Sequence, residues 1–125
     1  MDEGKVILLV DDDLTLREMY DERLKAEGFE IIQASNGEEA IRSAHDYKPN
    51  VILLDIMMPK INGFDVLKQL KEDPDTKDIP VIVLSALIQE VDKLQGKKLG
   101  AADYIVKSET MPGEVMAKIK AVMAK

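Results

Sequence analysis

The chain has 125 residues, a natural length for one domain, and the expected unit is a single domain over residues 1–125. Apolar residues make up 46%, enough for a core, but with only 3 Tyr, 2 Phe and no Trp that core must be aliphatic and Met-filled. The absence of cysteine excludes disulfides and thiolate metal sites, and a net charge of −7 disfavours binding a phosphate backbone. No basic-apolar leader and no apolar run near the length of a membrane span is present, so a cytoplasmic location is expected.

In chain order, Lys5 to Val10 predicts a first strand, because the unbroken run Val6-Ile-Leu-Leu-Val10 suits a strand covered on both faces. It runs into Asp11-Asp12-Asp13. A helix is expected from Leu14 to Glu27, with Leu16, Met19, Tyr20 and Leu24 on one side and Gly28 as the stop. Phe29 to Ala34 is a less apolar strand, hence an edge strand. Asn36 with Glu39 resembles an N-cap and its acid three positions on, opening a helix that ends before Pro49. Val51 to Leu54 is too short for a helix and apolar enough for a buried strand, and it delivers one carboxylate, Asp55. Pro59 and the turn signal Asn62-Gly63 place Asp55 at the mouth of a loop.

Gly63 to Lys71 predicts the next helix, with Phe64, Leu67 and Leu70 at helical spacing. The acids from Glu72 to Asp78 match no calcium loop and read as a solvated connection. Pro80 to Leu84 is a fourth strand delivering Ser85. Gln89 to Leu99 is a short helix carrying Val91, Leu94 and Leu99 and closed by Gly100. Asp103 to Val106 is a fifth strand delivering Lys107, and Pro112 opens a last helix with the stripe Val115, Met116, Ile119, Val122, Met123. Five strands alternating with five helices predict an α/β fold with a doubly wound parallel sheet, its three most apolar strands central.

In such a sheet Asp11, Asp12, Asp55, Ser85 and Lys107 all emerge at one edge, where open α/β sheets bind ligands. Three crowded carboxylates oppose each other's ionisation, so something positive must offset them. An oxygen-only set without Cys or a nearby His suits Mg²⁺ or Mn²⁺. Metal, ammonium and hydroxyl around a carboxylate suit a transferring phosphoryl group, with the carboxylate as nucleophile. Each residue alone also has an ordinary reading: Asp11–Asp13 as a helix cap, Asp55 as a turn residue, Ser85 as a loop start, Lys107 as a surface lysine, Tyr104 as a half-buried edge-strand tyrosine. His45, beside Asp46 on a predicted helix, reads as a surface residue.

Taken together, Val-Asp11-Asp12 after an apolar strand, Leu-Leu-Asp55 with Met-Pro59 and Asn-Gly63, Leu-Ser85-Ala86, and Tyr104-Ile-Val-Lys107 resemble the receiver domain of two-component response regulators, over essentially the whole chain. The resemblance implies a flavodoxin-like (βα)5 fold with sheet order 2-1-3-4-5, as in single-domain chemotaxis regulators. It implies that Asp55 accepts a phosphoryl group from a sensor histidine kinase or a histidine phosphotransfer protein. Asp11, Asp12, Asp55 and the Met57 backbone carbonyl would hold Mg²⁺, Lys107 would contact the phosphoryl group, and Ser85 and Tyr104 would switch. The face built from helix 4, strand 5 and helix 5 would then meet a downstream protein, with neither nucleic acid nor membrane as direct partner, the domain being a monomer or a phosphorylation-dependent dimer. A switch rather than a turnover enzyme is expected. Apolar Met57 and Leu87, at positions flanking the water route in the family, predict slow self-dephosphorylation.

One departure stands at Ser108, where the family usually has a proline in a cis bond. A cis non-proline bond costs about 3 kcal/mol, so either that cost is borne or the bond is trans and the loop shifts. Two other readings remain. Asp11-Asp-Asp13-Leu-Thr15 also fits the DxDxT of haloacid-dehalogenase-like phosphatases, with Asp11 as nucleophile and Asp13 as acid, though this leaves Asp55 unexplained. A phosphorylation-independent interaction module would keep the fold without the chemistry. Only about 18 residues follow Lys107, so either a free single-domain regulator or a receiver from a longer regulator or hybrid kinase fits.

Overall fold

The computed structural model describes residues 4–58, 60–86, 90–107 and 112–124. Its elements follow the expected alternation: β1 (Val6–Val10), α1 (Leu14–Ala26), β2 (Glu30–Ala34), α2 (Gly37–Tyr47), β3 (Val51–Leu54), α3 (Gly63–Glu72), β4 (Val81–Ser85), α4 (Glu90–Lys98), β5 (Asp103–Val106) and α5 (Pro112–Met123). All four strand pairings are parallel, and the sheet order is β2-β1-β3-β4-β5. The three continuously apolar strands, β1, β3 and β4, are the central ones, since only they are covered on both faces.

Side chains alternate between two cores. Leu8, Val10, Ile52, Leu54, Val81 and Val83 face the layer of α2 and α3. Ile7, Leu9, Leu53, Ile82, Leu84 and Ile105 face α1 and α5. The register pairs Val10 with Leu54 and Ser85 with Val106. Asp11 and Asp55 therefore leave adjacent strands one step later, on the same side.

Local chemistry sets the boundaries. Asp13 caps α1 by accepting the Leu16 N–H (3.2 Å), Asn36 caps α2 through Glu39 (3.0 Å), and Asn62 caps α3 through Asp65 (3.1 Å). Glu39 completes the α2 box by accepting from Asn36 Nδ2 and the Ser35 hydroxyl. After α1 the chain turns at Gly28, whose φ of 97° favours glycine.

Three expectations need correction. On α1, Tyr20 and Leu24 are buried but Met19 is 42% exposed, lying off the narrow stripe that meets the sheet. On α4, Val91 and Leu94 are each 63% exposed, because the helix turns Gly96 and Leu99 inward instead. The connection between α3 and β4 is not merely solvated: Thr76 is buried and donates to the Leu70 carbonyl at 2.7 Å, and Lys71 Nζ donates to the Ile79 carbonyl at 2.7 Å. His45 is partly exposed, as expected of a surface residue, but its Nε2 lies 2.6 Å from Asp73 Oδ2 and ties α2 to this connection. The Asp75 N–H first, and then His45, hold the Asp73 carboxyl below its usual range.

Thr76→Val keeps the shape but leaves the Leu70 carbonyl, in the last turn of α3, without this partner. An unsatisfied buried acceptor costs about 1.5 kcal/mol, equivalent to about 5 °C in Tm, and thermal melting of the variant checks it.

Candidate functional site: a carboxylate cluster at the carboxyl edge of the sheet

β1, β3, β4 and β5 deliver Asp11, Asp55, Ser85 and Lys107 to one edge, although the first and last of these are 96 positions apart in the chain. Lys107 Nζ donates to Asp11 Oδ2 at 2.8 Å and lies 3.6 Å from Asp55 Oδ2. Backbone hydrogen bonds hold the strand ends in place: Asp11 N to the Ala34 carbonyl (3.1 Å), Asp55 N to the Val10 carbonyl (2.9 Å) and Lys107 N to the Ser85 carbonyl (2.7 Å). Asp11 and Asp55 are almost fully buried, Ser85 wholly so, while Asp12 is exposed. Oxygen atoms of Asp11, Asp12 and Asp55 lie within 4.8 Å of one another.

The carboxylate oxygens are unequally engaged. Asp11 Oδ1 accepts the Asp13 N–H (2.9 Å) and its Oδ2 accepts from Lys107. Asp55 Oδ1 accepts the Met57 N–H at 3.2 Å, and Oδ2 has the looser ammonium contact. Burial pushes the Asp55 carboxyl up to about 6; the Lys107 charge pulls it down, Asp11 and Asp12 push it up, and the Met57 N–H pulls it down. Burial works against the Lys107 ammonium, but its hydrogen bond to Asp11 and the charges of Asp55 and Asp11 outweigh that and hold it above the ordinary lysine value. One ammonium thus faces three carboxylates. The hard, all-oxygen donor set and its uncompensated charge fit a divalent cation of the Mg²⁺ type.

Tyr104, half-buried on β5, is linked to Ser85 by a side-chain hydrogen bond, and burial raises its pKa against that bond. Its ring lies over Gly96 of α4, where an added Cβ would approach Tyr104 Cδ2 to 3.1 Å. The two expected switch residues are therefore in contact, with α4 directly behind them. Met57 stands beside the carboxylates and is 55% exposed. Leu87, Pro59 and the Lys107–Ser108 bond lie outside the described residues.

Sequence reasoning missed Arg17, whose Nη1 donates to the Asp11 carbonyl at 2.7 Å while its Nε donates to Gln33 Oε1 at 3.0 Å. The arginine at the fourth position after the capping Asp13 was the available signal. It also missed how closely Gly63 approaches the Asp55 backbone. A surface groove bordered by Val6, Gly28, Phe29, Ile31 and Tyr47 lies at the opposite end of β1 and β2 and holds none of these groups.

The model for the response regulator receiver domain matches residues 7–120. The chain belongs to this family. The phosphate regulon transcriptional regulatory protein PhoB of Pseudomonas aeruginosa is 43% identical over 120 residues, covering 96% of this chain and 52% of that protein. The alkaline phosphatase synthesis transcriptional regulatory protein PhoP of Bacillus subtilis is 40% identical, covering 96% and 49%. The receiver domain thus spans about half the length of these curated relatives. Among solved structures, Vibrio cholerae chemotaxis protein CheY4 is 29% identical with a TM-score of 0.88, covering 94% of this chain and 98% of that one. The fold and strand order expected from the resemblance are those observed. No helix among the described residues is long and apolar enough to cross a membrane.

The phosphatase reading gives way to this result. Asp13 is spent capping α1, both Asp11 oxygens are engaged, and the looser carboxylate at the focus is Asp55.

Proposed function

We propose that this receiver domain is a phosphorylation-driven switch in which Asp55 takes a phosphoryl group from a phosphohistidine of a sensor kinase or phosphotransfer protein. The observation that carries the reading is the asymmetry between two buried carboxylates: among the described residues, Asp11 is tied through both oxygens, while Asp55 accepts the Met57 N–H and has a looser ammonium contact at 3.6 Å. An Asp55 oxygen attacks phosphorus, the bond from phosphorus to the histidine nitrogen breaks, and the imidazole leaves with the electron pair and regains a proton. The nucleophile must be ionised, and with its pKa near 6 Asp55 is mostly carboxylate at neutral pH. Lys107, released from full commitment to Asp55 by its bond to Asp11, stands ready for a phosphoryl oxygen. Ser85, at the end of β4, supplies a hydroxyl.

Asp11, Asp12, Asp55 and the Met57 carbonyl are the groups that would hold Mg²⁺, which when bound supplies the positive charge needed to bring an anionic donor to three carboxylates. If Ser85 turns its hydroxyl to the phosphoryl group, it gives up Tyr104, and the change passes to α4 and β5. The exposed Val91 and Leu94 on α4 make that face suitable for a downstream protein. The domain acts as a switch and not a turnover enzyme, in keeping with a site whose product is its own modified side chain. The curated relatives are named as transcriptional regulatory proteins, and the switch face of this domain is proposed to pass the signal on by protein contact, either to a separate partner or to a further segment of a longer regulator.

Intact mass after incubation with acetyl phosphate tests the reading. A gain of one phosphoryl group that requires Mg²⁺ and is absent in Asp55→Asn is expected. No gain from either acetyl phosphate or a phosphorylated histidine kinase would overturn it. The same samples give the lifetime: apolar Met57 cannot orient a hydrolytic water, so a half-life of minutes or longer is expected, and one of seconds would remove that part of the proposal.

A further inference from the structure

We infer that Arg17 is a positioning residue for the cation site: it holds the Asp11–Asp13 segment in the shape that points two carboxylates at Asp55. The inference rests on the proposed function, which assigns Asp11 and Asp12 to the cation.

The Val10 carbonyl is the last on β1 to be used by β3, through Asp55 N, and the Asp11 N–H is the last to reach β2, through the Ala34 carbonyl. The Asp11 carbonyl lies beyond both ladders, and the side chain of Arg17 takes it at 2.7 Å. The backbone N–H of the same residue takes the Asp13 carbonyl at 3.0 Å in the first turn of α1. Arg17 therefore fixes both ends of the three-residue segment that carries the carboxylates. Its guanidinium is itself held by Gln33 on β2 at 3.0 Å, so the fork bridges helix and strand across the segment.

Coulomb's law alone gives the opposite sign. A guanidinium beside the cluster repels a divalent cation, so removing the charge should tighten Mg²⁺ binding. If Arg17 acts by placing Asp11 and Asp12, removing it should weaken binding, as loss of a residue that orients metal ligands commonly costs 10- to 100-fold in affinity. The direction of the change separates the two roles without reference to its size.

The experiment is Mg²⁺ titration by calorimetry of the full chain as wild type, Arg17→Ala, Arg17→Lys, Gln33→Ala and Asp11→Asn, with Tm recorded for each. Arg17→Ala is expected to weaken Mg²⁺ about tenfold while its cation-free Tm stays near that of wild type. Arg17→Lys, which keeps the charge and one donor but loses the fork, is expected to restore part of the affinity. Gln33→Ala, which only frees the guanidinium, is expected to weaken binding two- to threefold, by the same orienting effect at reduced strength. Equal or tighter binding in Arg17→Ala would overturn the inference. If Arg17→Ala does not fold, unchanged affinity in both Arg17→Lys and Gln33→Ala overturns it instead. Wild type that binds no Mg²⁺, or binds it as well after Asp11→Asn, would show that the cation reading itself had failed.

Discussion

Asp55→Asn is expected to melt about 7 °C above wild type at pH 7.5 without divalent cations, even as it loses all phosphoryl uptake. The cause is the burial that raises the Asp55 carboxyl to about 6, against an ordinary aspartate value of 3.8. Between those two values the folded chain binds more protons than the unfolded chain, so stability falls as pH rises through that window. Above pH 6 the full deficit remains. A shift of this size, discounted for partial solvent screening, corresponds to about 2 kcal/mol. Asparagine removes the charge and keeps the shape, so the variant gains stability at pH 7.5 and the advantage disappears near pH 4. Mg²⁺ should narrow the difference at pH 7.5, because it stabilises the wild-type carboxylate. Thermal melts of both proteins from pH 4 to 8 check this. A variant no more stable than wild type at pH 7.5 would mean that Lys107 already compensates the buried charge. That position would then be tuned for rest, not for receiving a cation and a phosphoryl group.

The legible part of this domain was whatever a strand's end dictates. A short apolar run followed by one polar residue states both that the strand is buried and where the polar group emerges, and parallel pairing gathers the emerging groups on one edge. Asp11, Asp55, Ser85 and Lys107 could be brought together in this way without any knowledge of distances. Helix starts were local in part: Asn36 with Glu39 reads as a cap and Asp13 admits that reading, whereas Asn62, readable only as part of a turn, proves to cap α3. Contacts made by the far ends of long side chains were not legible. Arg17 reaching back to the Asp11 carbonyl, and His45 reaching Asp73, depend on which way a flexible stem turns, and the spacing leaves several directions open. The outward face of α4 was misread for a related reason. A pattern of Val91, Leu94 and Leu99 marks an apolar side but not what that side meets, and here Gly96 beneath the Tyr104 ring is what lets the helix approach the sheet.

Gly63 also looked like a turn residue, and its role is stricter than that. It opens α3, and its N–H donates to the Ile56 carbonyl at 2.8 Å. A Cβ added there would lie 2.3 Å from the Asp55 carbonyl oxygen and 2.5 Å from Ile56 Cα. These are main-chain atoms on the loop that carries the Asp55 carboxylate, so no side-chain rotation relieves the overlap. In an ordinary helix, glycine to alanine gains about 1 kcal/mol. At Gly63 the overpacking should reverse the sign and destabilise by about 3 kcal/mol, lowering Tm by about 10 °C. Because relief must come from moving α3 or the Asp55–Ile56 backbone, the variant should also take up phosphoryl groups more slowly at temperatures where it remains folded. Gly96→Ala is the control: its new methyl would meet the Tyr104 ring edge at 3.1 Å and Phe64 Cε1 at 3.9 Å, the first a side chain that can yield and the second an ordinary contact. Melting curves and acetyl phosphate uptake on both variants test the contrast. Gly63→Ala with wild-type stability and uptake would show that the loop carrying Asp55 has slack, and that Asp55 is not held in register by the close approach of α3.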